Sequence, residues 1–207
     1  MTIKKIVLLT SMALALVAFA APAAQAENTT WYTDDTEIGD ISEPQTVEVH
    51  GELSSTLGFK TGPAVVHGHG DIWNDPETNM GEGEITEFEI TGELSVGPGL
   101  PETCKATGTA DNLGWPITAT TNVVDIEAAF ENHYNAVCQA LGFPKSVTAS
   151  GIATGVAEGN CLNFVNAGDL ETAAGGKVLL NGQVCITDVD ANGDTTDGVI
   201  TLGPHTP

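Results

Sequence analysis

The chain has no arginine, and two of its six lysines, Lys4 and Lys5, sit in its first few residues. From residue 27 onward only Lys60, Lys105, Lys145 and Lys177 stand against 28 carboxylates. Nucleic acid is gripped by lysines and arginines that neutralise phosphates, so DNA and RNA are excluded as partners. Anionic membrane surfaces are excluded on the same ground, and an arginine clamp for an anionic substrate is missing. Aromatic residues are scarce, at 5%. No Cys-x-x-Cys pair argues for a thioredoxin-like centre or a zinc knuckle. No Gly-x-Ser-x-Gly elbow and no Walker loop is present. No apolar run after residue 26 reaches membrane-spanning length. With these classes removed, a cation, a neutral glycan or a basic partner is what the charge favours.

The first 26 residues have the form of a signal peptide. Lys4 and Lys5 precede an apolar run from Ile6 to Ala20, and Ala24-Gln25-Ala26 offers a small-x-small cleavage pattern. The expected mature protein is residues 27–207, one secreted, extracellular domain. A domain of this size buries enough surface to need no metal for folding. The four cysteines, Cys104, Cys138, Cys161 and Cys185, are an even set in an exported chain and predict two disulfides. Three connectivities exist. Cys104–Cys138 with Cys161–Cys185 is favoured, because each closes a moderate loop between neighbouring segments.

Apolar and polar residues alternate with period two in several segments, which marks strands with one buried face. In 47–53, Val47, Val49 and Leu53 alternate with Glu48, His50 and Glu52. In 64–72, Ala64, Val66 and Ile72 alternate with Val65, His67, His69 and Asp71. Segment 86–96 behaves likewise, and 117–124, 146–157, 177–188 and 198–202 are further strand candidates. Residues 27–45 are polar, with Trp31 and Tyr32 as a docking point. Segment 123–143 reads as a strand at its start, with a short helix near its end left open. The fold class is all-β: an antiparallel β-sandwich or a partly open β-barrel, between which alternation does not choose.

From Trp31 to Cys138 the chain resembles a loose group of secreted, uncharacterised actinobacterial β-proteins. The residues that carry the resemblance are Trp31-Tyr32, Gly51-Glu52-Leu53, Asn74-Asp75-Pro76, Gly81-Glu82-Gly83, and Cys104 followed by Trp115-Pro116 and Cys138. Members often hold another cysteine in the second strand, where this chain has Val65-Val66-His67. The resemblance implies export, β structure and disulfides. It implies no chemistry.

Two constellations could hold a metal. Pairing 47–53 with 64–72 apolar to apolar sets Val47 opposite Ile72, and then Glu48 faces Asp71, His50 faces His69, and Glu52 faces His67. His50, His67, His69 and Asp71 would share one patch suited to Zn²⁺ or Cu²⁺. The competing reading is a solvated face of ordinary cross-strand pairs. The second constellation is Asp188, Asp190, Asn192 and Asp194, spaced like the start of a Ca²⁺ loop. Its twelfth position is Val199, where a calcium loop needs a carboxylate, so a plain hairpin turn at Ala191-Asn192-Gly193 explains it as well. Trp115 reads as a core anchor at a turn. The leading function is a non-enzymatic extracellular binding or structural protein. The alternatives are a metal binder or metal-dependent enzyme using the histidines, and a carbohydrate-binding module, which needs an exposed row of aromatics.

Overall fold

Residues 29–56, 63–97, 99–190 and 193–204 are described by a computed structural model. The expected leader, residues 1–26, and its expected cleavage pattern lie outside them. The elements in order are β1 Thr29–Thr33, β2 Thr36–Glu37, β3 Gln45–Thr56, β4 Ala64–Asp75, β5 Met80–Thr91, β6 Leu94–Ser95, β7 Lys105–Ala110, β8 Trp115–Thr120, β9 Val123–Tyr134, α1 Ala136–Ala140, β10 Ser146–Glu158, β11 Cys161–Thr172, β12 Lys177–Asp188 and β13 Ile200–Pro204.

Strands β3, β4, β5, β8, β9, β10, β11 and β12 pair antiparallel, each with the next, and β12 returns to pair with β3. That last ladder, from Leu179↔Thr56 to Asp188↔Val47, chooses between sandwich and barrel. The result is an up-and-down eight-stranded barrel. β7 and β8 are two pieces of one wall strand, since both lie antiparallel along β9 and are separated by residues 111–114. β8 pairs with β5 from Glu82 to Ile85, but no ladder joins β7 to the upper half of β5. The barrel therefore has a partial seam.

The long strands point most of their apolar residues inward, while Val65, Ile152, Val156 and Val165 are exposed. Val47, Val49, Val66, Ile72, Ile85, Ile117, Val124, Leu162, Leu180, Val184 and Ile186 belong to one buried core. Burial of such side chains contributes about 1.5–3 kcal/mol each. Carboxylates and imidazoles occupy the alternate, outward positions, the reverse of a lipid-facing barrel wall. No helix among the described residues is long and apolar enough to cross a membrane.

The small sheet β13-β1-β2 closes one end. Trp31, 2% exposed, enters the core from β1, as a docking residue should. Its indole N–H donates to the Glu82 carbonyl at 3.1 Å. It lies over Gly81, where a Cβ would come within 2.8 Å of the ring. Buried Asn74 brackets the segment: its Oδ1 accepts from Trp31 N at 2.7 Å, and its amide donates to the carbonyls of Trp31 and Ile38 at 3.0 and 2.8 Å. Trp31, Asn74, Gly81 and Glu82 thus meet in one structural plug. Buried among these strands, the Thr30 and Thr33 hydroxyls have no hydrogen-bond partner among the described residues.

At the other end, Cys104–Cys138 ties the β5–β7 connection to α1, within a cluster of Ala64, Val96, Ala106 and Tyr134. Asn135 caps α1 by accepting from Cys138 N at 3.1 Å. The second disulfide, Cys161–Cys185, joins directly opposed residues of β11 and β12. Both pairings are the favoured ones, and 123–143 does divide into a strand and a short helix.

Other expectations need correction. The segment read as 86–96 is a longer strand that begins at Met80 and ends at Thr91, where Gly92 turns with φ +97°. Segment 117–124 is two strands with a turn at Thr121, φ +56°. β11 was not foreseen at all.

Candidate functional site

The predicted β3–β4 register is off by two residues. Val47 faces Gly70 and Val49 faces Gly68, so His50 faces His67, Glu48 faces His69, and Glu52 faces Val65. Matching apolar to apolar failed because Gly68 and Gly70 are inward positions. The space these glycines leave is taken from β5, where the Glu87 and Glu84 carbonyl oxygens lie against Gly68 and Gly70. The outward face is as expected, but its partners change. His69 Nδ1 lies 3.2 Å from Glu87 Oε2 on β5. Asp71 Oδ1 accepts from the Thr46 hydroxyl at 2.9 Å. The imidazoles of His50 and His67 make no hydrogen bond to another described residue. Among the described residues, no group of three or more His, Cys, Asp or Glu side chains converges to hold a metal ion.

Closure of β12 onto β3 builds something the hairpin alone does not have. Outward rows run around the wall from β11 to β5. One row is Cys161, Cys185, His50, His67 and Glu89; the next is Asn163, Gln183, Glu52, Val65 and Thr91. The central members of these rows, from Cys185 to His67 and from Asn163 to Val65, line an open groove of about 860 Å³. Gly51 and Gly182 lie in it, and both allow β3 and β12 to approach closely: a Cβ on Gly182 would fall 2.0 Å from the Glu52 carbonyl oxygen, at φ +140°. Neutral amides dominate one side. Gln183 donates to Asn163 Oδ1 at 2.9 Å, and Asn163 donates to Glu158 at 3.1 Å. Asn181 Oδ1 accepts from the Asn166 backbone N–H at 2.9 Å. Val165, 77% exposed, and Val65, 41% exposed, supply apolar contact. Sequence reasoning marked 177–188, which holds Asn181 and Gln183, as a strand. It missed Asn163 and Val165, which lie on the unforeseen β11.

The interior is nearly filled. Two apolar cavities of about 40 and 50 Å³ share Leu53, Phe88, Phe130 and Leu180 in their walls. Ligand pockets for small molecules usually span several hundred Å³. Trp115 is a core residue as expected: it packs on Phe88 and Phe130 at 5.1 and 4.9 Å between ring centroids, and its indole donates to the Asp111 carbonyl at 2.9 Å. The upper cavity adds Ser54, Ser55 and Asn132.

The acidic turn folds as a hairpin. Val189 bridges Thr195, and Gly193 N donates to the Asp190 carbonyl at 2.9 Å. Asp188 spends its carboxylate on neighbours: Oδ1 accepts from Gln45 and Oδ2 from the Thr196 hydroxyl at 2.7 Å. Asp190 Oδ1 accepts from Asp194 N at 3.0 Å. Asn192 lies outside the described residues.

Three groups have shifted pKa values. Hydrogen bonds from the Ser42 hydroxyl and backbone hold Asp40 below the usual carboxylate value. The Glu77 backbone N–H and the Thr78 hydroxyl do the same for Asp75. Burial pushes the Tyr134 phenol up. None of the three lines the groove. No family model, no curated protein and no solved structure matches the chain.

Proposed function

We propose that this chain is a secreted, non-enzymatic binding protein of the cell exterior, and that its outer groove receives a basic segment of a partner. One observation carries the reading. The interior offers cavities of about 40 and 50 Å³, whereas the groove offers about 860 Å³ and is lined by groups that hydrogen-bond. Glu52 stands in the groove, and Glu89 and Glu158 stand beside it. Their field, added to that of a chain with a formal net charge of −22, attracts cations and repels anions. Asn163, Asn181 and Gln183 supply donors and acceptors for a peptide backbone, and Val65 and Val165 cover aliphatic stems. Export is supported by two disulfides, which persist in oxidising compartments, by the leader's composition, and by the resemblance of residues 31–138 to exported proteins.

The test compares immobilised basic peptides, neutral oligosaccharides and acidic peptides against residues 27–207 by biolayer interferometry. Basic peptides should bind best, and more weakly as salt rises. Glu52→Lys should weaken them far more than Glu102→Lys, an equal charge change outside the groove. Equal losses from the two variants, or a preference for acidic probes, would overturn the reading.

A further inference from the structure

We infer that His50 and His67 form a two-imidazole site for a divalent transition metal, with Cu²⁺ preferred. The two residues are direct cross-strand partners on the outer wall, and both line the groove. Opposed Cβ atoms on paired strands sit about 5 Å apart, so two imidazoles there can chelate one ion. The other two candidates are drawn off: His69 turns to Glu87, and Asp71 accepts from Thr46. His50 and His67 are thus left as the pair with uncommitted rings. Cys185, the neighbour of His50 in the row, is in a disulfide and supplies no thiolate.

Two nitrogen ligands leave the remaining positions to water, which makes an open, exchangeable site rather than a closed structural cage. Imidazole suits Cu²⁺, Ni²⁺ and Zn²⁺, and the order of intrinsic affinity puts Cu²⁺ first. The chain's carboxylates raise the local concentration of any cation. The strands are already paired before the ion arrives, and the Cys161–Cys185 bond in the same row cross-links the neighbouring pair. Little ordering is left to be done on binding. The inference does not rest on the basic-partner reading, and it stands or falls separately.

Residues 27–207, with both disulfides formed, are titrated with CuCl₂ by calorimetry and followed by electron paramagnetic resonance. One saturable Cu²⁺ with two-nitrogen coordination is expected. His50→Ala and His67→Ala should each weaken it by about tenfold or more, the scale on which even an outer partner matters to a metal site. His69→Ala should leave the affinity within about threefold, a difference well under 1.4 kcal/mol. His50→Gln and His67→Gln, which keep the face polar, repeat the comparison should an alanine variant fold poorly. The inference is overturned by absence of saturable binding, by wild-type affinity in the His50 or His67 variants, or by an equal loss in His69→Ala.

Discussion

Removing Trp31 should change the sign of a second substitution, Gly81→Ala. In the intact plug, the new methyl would lie 2.8 Å from both Cδ1 and Nε1 of the indole. The ring would have to shift, against its 3.1 Å bond to the Glu82 carbonyl and against the core it fills. Overpacking of this kind costs about 1–3 kcal/mol. Trp31→Ala alone should cost about 3–5 kcal/mol, a large share of the roughly 5–15 kcal/mol that holds a domain folded. With the indole gone, the methyl meets Ala119 Cβ at 3.3 Å. Once Ala119 yields the few tenths of an ångström this tight contact needs, replacing Gly by Ala restricts the unfolded chain and should stabilise by about 0.4–1 kcal/mol. The two changes are therefore coupled by roughly 1.5–4 kcal/mol, well outside the few tenths by which independent sites deviate from additivity. Urea unfolding of the four proteins, followed by far-ultraviolet circular dichroism because one tryptophan is lost, measures the cycle. Additivity within about 0.5 kcal/mol would show that Trp31 does not rest on Gly81.

Asn74→Ala should cost about 1–3 kcal/mol in the same assay, because it leaves the buried Trp31 N–H without its acceptor. Replacing Cys104 and Cys138 together by alanine frees a loop of sequence separation 34 and should lower stability by about 3–4 kcal/mol, seen as a lower urea midpoint. The raised Tyr134 pKa means that the folded state holds this proton more tightly than the unfolded one. Its contribution is complete below the unfolded tyrosine pKa of about 10 and is lost as pH rises through the higher folded value. Melting temperatures taken between about pH 9 and 12 should fall more steeply for the wild type than for Tyr134→Phe.

Where most alternate positions of a strand are apolar, the sequence showed the strand. β12 is such a case, with Val178, Leu180, Val184 and Ile186 inward. β11 hides because its inward residues are Leu162, Phe164, Ala167 and Leu170, and its pairing with β12 shifts register on both sides of Ala167. Asn166 at φ +49° and Gly168 at φ +107° absorb these shifts. No single period describes that spacing. β5 conceals its first half differently: Gly81 and Gly83 are its inward residues there, and glycine does not read as apolar. A bulge opposite His69 and Gly70 then moves the inward face to Phe88 and Ile90. For the candidate site, the outward histidines were legible. Their register was not, because the inward residues that face Val47 and Val49 are Gly70 and Gly68, and glycine does not read as apolar. The groove's other side depends on β12 meeting β3, a pairing between segments more than a hundred residues apart, and no local pattern announces it.

The gap between β5 and β7 has a kinetic meaning. From Glu87 to Thr91, β5 is laddered to β4 and carries no ladder toward β7. Side chains hold that interval together instead, with Ile90 lying over Gly108. Amide hydrogens facing it should exchange with solvent well before those of the β12–β3 closure, since local opening there breaks few backbone bonds. The cylinder's slowest and fastest amides should thus mark two different lines along its length: the join made last in the chain, and the slit left where one wall strand is broken in two.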